Sequence, residues 1–96
     1  MSPQNKKKLN IIRKKLDQID NQLLLLVKKR TLQVNNVIKL KENKSEIVDQ
    51  KRISSILKKI KLKSIKMNID PKITNRIWKN MIWSYIGYER KNFKKD

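Results

Sequence analysis

The sequence predicts an all-α protein of three helices, and three observations carry that prediction. From Lys7 to Lys41 there is no Gly and no Pro, and the apolar residues recur at steps of three and four. Asp70-Pro71 joins a good N-cap to a residue pre-set for the first helical turn, which marks the start of a late helix. No stretch alternates apolar and polar residues as a half-buried strand would.

The first helix is expected from about Asn5 to Lys41. Leu9, Ile12, Leu16, Ile19, Leu23, Leu26, Val34 and Val37 form one stripe on it. At about 100° of rotation per residue the stripe covers an arc of roughly 120°. Lys14, Lys15, Lys28, Lys29 and Lys39 point away from it. Three other cations do not: Arg30 takes the stripe position after Leu26, Lys41 the one after Val37, and Arg13 lies on the margin. Burying a cation without a partner costs on the order of several kcal/mol. With only 8 acidic residues against 26 basic ones, these cations favour an external anion.

A polar loop, Glu42 to Val48, leads to Asp49, the expected N-cap of a second helix that reaches about Lys66. Ile53, Ile56, Leu57 and Ile60 share one side of it. The third helix, opened by Asp70-Pro71, carries Ile73, Ile77, Trp78, Met81, Ile82, Tyr85 and Ile86. Gly87 either permits close helix approach or is a neutral passenger. With no internal repeat and no linker, residues 1–96 read as a single domain.

The first helix is too long for a compact monomer. Its ~35 residues span roughly 50 Å at 1.5 Å each, whereas a domain of about 100 residues has a radius of gyration near 13 Å. Ile11, Leu25, Leu32 and Leu40 lie off the main stripe, so the helix calls for burial on more than one side. An intertwined homodimer, in which this helix crosses between protomers, meets both needs.

Composition narrows the chemistry. There is no Cys and no His, which excludes disulfides, thiolate chemistry and the usual general base. A single Gly excludes a Gly-rich phosphate loop. An enzyme made of these residues works by positioning and electrostatics. The net charge of +18 raises nucleic acid as a partner. The lysines are scattered around the helices, however, and no known nucleic-acid-binding motif is visible, so that reading is disfavoured. No apolar run approaches the ~20 residues of a membrane span. The basic start MSPQNKKKLNII lacks the apolar core of a signal peptide, and a cytoplasmic location is expected.

Taken together, the segment LNIIRKKLDQIDNQLLLLVKKR resembles the first helix of the small, all-helical chorismate mutases. The resemblance continues through Val34, Val37 and Lys41, then IVDQKR, then IDPKITNRIWKNMI, and covers roughly Leu9 to Phe93. It implies an intertwined dimer with two active sites, each completed by the partner subunit's Arg13. Arg30 and Lys41 match the two cations of the same helix, and Asp49 and Arg52 match the start of the second helix. Glu89 stands where the family usually has Gln, with Tyr85 one turn earlier where Ser is frequent. The implied reaction is isomerisation of chorismate to prephenate, in aromatic amino acid biosynthesis, without cofactor or metal.

That reaction suits a chain without His or Cys. A Claisen rearrangement breaks an ether C–O bond as a C–C bond forms within one molecule, and it requires no base, nucleophile or redox centre. It requires the dicarboxylate to be held in its compact conformer and negative charge on the ether oxygen to be stabilised. Forked guanidinium groups at Arg13 and Arg30 suit the carboxylates, and Lys41 is expected to reach both a carboxylate and the ether oxygen. Simpler readings stand beside these. Arg13 and Asp20 could form an interhelical ion pair, Asp49 serve first as a cap, Arg52 be a solvated helix residue and Tyr85 fill core.

Two departures from the family pattern bear on specificity. Glu89 shares the inner arc of the third helix with Trp78 and Ile82, and it can donate to the ether oxygen only when protonated, unlike a Gln. Ile53 stands where many mutases have a Glu that receives the substrate's ring hydroxyl. The related isochorismate–pyruvate lyases, which make salicylate on this scaffold, also have an apolar residue there, and MIWSYIGYERKNF is similar to their tail. The lyase is therefore the alternative activity, and a basic helical nucleic-acid-binding protein the non-enzymatic one.

Overall fold

Local capping chemistry sets most helix boundaries. The computed structural model describes residues 1–95, with α1 at Pro3–Leu40, a 3-10 turn at Lys44–Glu46, α2 at Gln50–Lys66 and α3 at Pro71–Asn92. Among the described residues there is no strand, and the all-α expectation holds. α1 starts at Pro3, ahead of the expected Asn5, because Ser2-Pro3 is itself a start signal. Ser2 Oγ accepts the Asn5 N–H at 3.2 Å, and Pro3 takes the first helical position. α1 ends at Leu40, so Lys41 stands just past it, although its amide still donates to the Val37 carbonyl at 3.2 Å.

Both expected caps form. Asp49 accepts the Arg52 N–H at 3.0 Å, and Asp70 accepts the Lys72 N–H at 2.9 Å. Between α2 and α3 the chain turns at Asn68, whose φ of 57° lies in the left-handed region that Asn tolerates better than most residues. The Ile69 amide donates to the Ser64 carbonyl at 2.9 Å and the Asn68 amide to the Ile65 carbonyl at 3.2 Å. This is the paired closure of a Schellman motif, which satisfies carbonyls that the end of α2 leaves open.

The described chain divides into two compact units, Met1–Gln33 and the part from Val34 onward. The first is helical and holds no buried residue; Ile12, Leu16, Ile19, Leu23 and Leu26 are each more than half exposed. Leu24, Leu25 and Leu32 are exposed as well. The second unit holds the core: Ile38, Ile47, Ile82, Ile86 and Phe93 are buried, and Val34, Ile53, Ile56, Leu57 and Tyr88 pack against them.

Here the stripe drawn from periodicity is corrected. Val37 is exposed, and Ile38, one position on, is the buried residue. Val34 and Ile38, one turn apart, are therefore the α1 side chains that the core uses. α2 packs along α3. At their joint Ser64 and Thr74 are both buried, with their hydroxyls 2.7 Å apart, and Ser64 Oγ donates to the Ile60 carbonyl at 2.6 Å. A Cβ added at Gly87 would meet nothing within 4 Å, so within this chain Gly87 does not serve a close helix approach. No helix among the described residues is long and apolar enough to cross a membrane.

Candidate active site

The periodicity of α3 turns a carboxylate inward. Ile82, Ile86, Glu89 and Phe93 follow one another at steps of four, three and four, and all four are buried. Glu89 is only 7% exposed, and a carboxylate so placed needs a partner. Lys41, at the exit of α1, supplies it: Nζ donates to Glu89 Oε1 at 3.0 Å. The two side chains are 18% and 10% exposed, which makes this a largely desolvated ion pair. The charge argument sought an external anion for Lys41; in the folded chain the anion is Glu89.

Asp49 is exposed, and its carboxylate is engaged at the start of α2. With Lys41, Ser45, Glu46 and Gln50 it lines a cavity of about 490 Å³. Arg52 is exposed and does not line that cavity. Ile53 is half-buried and packs against the core. Tyr85 is also half-buried; its ring meets Tyr88 edge to face, with centroids 6.3 Å apart and an interplanar angle of 87°. Tyr88 is tied in turn to α1, its hydroxyl donating to Asn35 Oδ1 at 2.6 Å.

Arg13 and Arg30 belong to the first unit, where Arg13 is exposed and Arg30 half-buried. The second unit thus assembles Lys41 with Glu89 and sets Lys41 and Asp49 on a common cavity. Sequence reasoning missed Ser45, Glu46 and Gln50 as lining residues. Their one signal was position, in the loop and first turn flanking an N-cap Asp. It also missed the Tyr88–Asn35 bond, which no local pattern announces.

The family model for chorismate mutase type II matches residues 12–90. The chain belongs to that family. The matched span begins beside Arg13 and ends beside Glu89, so every candidate site residue of this chorismate mutase family member lies within it. No curated protein and no solved structure matches the chain at a significant level.

Family membership gives the Lys41–Glu89 pair a chemical reading. Lys41 is a three-donor cation held in place by a buried acceptor, so its charge is oriented before any ligand arrives. An anionic ligand entering beside Lys41 competes with Glu89 for those donors.

Proposed function

We propose that the chain is a cytoplasmic, homodimeric chorismate mutase that converts chorismate to prephenate. Two observations support this reading: the family match over residues 12–90, and the Lys41–Glu89 pair at 3.0 Å within that span. The pair carries most of the argument, because it sets a cation and a potential acid side by side in a largely desolvated position.

In the proposed reaction Arg30 and the partner subunit's Arg13 clamp the two carboxylates of chorismate. This fixes the compact conformer in which the ends of the new C–C bond approach each other. Lys41 contacts one carboxylate and the ether oxygen, and protonated Glu89 donates to the same oxygen. As the C–O bond lengthens, negative charge gathers on that oxygen, and both donors strengthen their hold. The electron pairs of the breaking C–O bond, one ring double bond and the enol-ether double bond reorganise within one molecule. The end of the enol ether bonds to the ring as the C–O bond breaks and the ether oxygen becomes a carbonyl, so no atom or proton is gained or lost. Asp49, which lines the same cavity as Lys41, stands beside the ring hydroxyl, and the family resemblance adds Tyr85 and Arg52 to the substrate contacts.

Ile53 supports a second reading. It is apolar and packed against the core, so it offers no acceptor for that hydroxyl. An isochorismate–pyruvate lyase tolerates this. Incubation with chorismate and, separately, isochorismate, with product identification, decides between them. Prephenate from chorismate supports the mutase, whereas salicylate from isochorismate with slow use of chorismate supports the lyase. If neither reacts, the enzymatic reading fails.

A further inference from the structure

A helix ends with carbonyls that no amide of its own can satisfy. At the end of α1 the donor comes from far along the chain. Lys95 Nζ donates to the Lys39 carbonyl at 2.7 Å and to the Lys41 carbonyl at 3.0 Å. A cation at a helix C-terminus also meets the negative end of the macrodipole, so charge and hydrogen bonding agree.

Lys95 is delivered there by the turn of α3 that carries Glu89. The Phe93 amide donates to the Glu89 carbonyl at 2.8 Å, and the Phe93 side chain is buried in the core. One short stretch of chain thus sends Glu89 to the ammonium of Lys41 and Lys95 to its backbone. Lys41 is held at both ends.

We infer that Lys95 is a positioning residue for Lys41: by bonding the carbonyls of Lys39 and Lys41 it fixes the backbone from which the Lys41 ammonium reaches the reacting ether oxygen. The inference rests on the mutase reading above. Lys41 lies past the last residue of α1, where its own amide bond to Val37 is long at 3.2 Å, so without Lys95 that turn is free to fray. A transition-state donor tolerates little displacement, and a misplacement of about 1 Å can cost on the order of 10²-fold in rate. Arg at this position would keep both the charge and the donors.

The test compares Lys95→Met and Lys95→Arg with wild type in the full chain, well below their unfolding midpoints. kcat and KM are measured for chorismate, and amide hydrogen exchange is followed at Leu40 and Lys41. Lys95→Met is expected to lower kcat about tenfold with KM changed less than about twofold. Its Leu40 and Lys41 amides exchange faster, and Lys95→Arg retains most of the rate. An unchanged kcat in Lys95→Met, or an equal loss in Lys95→Arg, overturns the role. If wild type does not turn over chorismate, the mutase reading fails on its own. Exchange then decides the clamp: faster exchange in Lys95→Met supports it, and unchanged exchange overturns it.

Discussion

Glu89 can assist the rearrangement only as an acid, since a carboxylate anion has no hydrogen to donate. Glu89→Gln, whose amide always carries hydrogens to donate, is therefore expected to turn over chorismate at least as fast as wild type. An inactive Gln variant removes this role for Glu89. The same pair makes a stability prediction. Lys41→Met leaves the buried Glu89 carboxylate without its 3.0 Å partner, at a cost of about 1–3 kcal/mol. Adding Glu89→Gln to Lys41→Met should recover part of that loss in denaturant titrations, because the stranded charge is gone. Recovery of nothing would mean that the stranded carboxylate is not the source of the loss. The inward position of Glu89 was legible in its helical phase with Ile82. Its partner was not legible in any local pattern, because Lys41 lies 48 residues away; the family resemblance, which sets both residues at the ether oxygen, was what placed them together.

At the scale of the helix, capping was readable because it is local. Asp49 and Asp70 each meet an amide two or three residues on, and Ser2-Pro3 would have placed the start of α1 by the same logic. The choice of Ile38 over Val37 was not readable: a helix with apolar residues on several sides has no single stripe, and tertiary packing selects the face. The buried Ser64–Thr74 pair escaped for a related reason, since hydropathy treats hydroxyls as surface groups. α1 also carries the proposed dimer contact. Its exposed stripe of Ile12, Leu16, Ile19, Leu23 and Leu26 is a continuous apolar surface, and full burial of each such side chain is worth about 1.5–3 kcal/mol. Leu23→Glu is therefore expected to shift the protein from dimer to monomer in sedimentation equilibrium and to abolish turnover with it. An unchanged dimer would put the contact elsewhere. On α3, where a Cβ at Gly87 has open space, Gly87→Ala should raise the unfolding free energy by about 0.5–1 kcal/mol. A loss of stability instead would mean that Gly87 meets another protomer.

For the molecule as a whole, the central claim is that a working site needs two chains. In the proposed dimer, Lys41 and Glu89 come from one protomer and the guanidinium from the partner subunit's Arg13. The isolated chain fits this division. Its second unit buries its own core, whereas Met1–Gln33 buries nothing and presents the apolar stripe together with Arg13 and Arg30. Helix length and stripe composition were enough to suggest the dimer from sequence. Which residues cross it depends on the pairing of two copies, which no pattern within one chain encodes. The most direct measurement mixes two inactive variants, Arg13→Ala and Lys41→Met, after partial unfolding to let protomers exchange. In a mixed dimer one site has an intact Lys41 and receives an intact Arg13, and the other lacks both. Random exchange should then restore about a quarter of the wild-type sites, read as prephenate formed from chorismate. No recovery from a mixture of folded, dimeric variants would contradict the shared site.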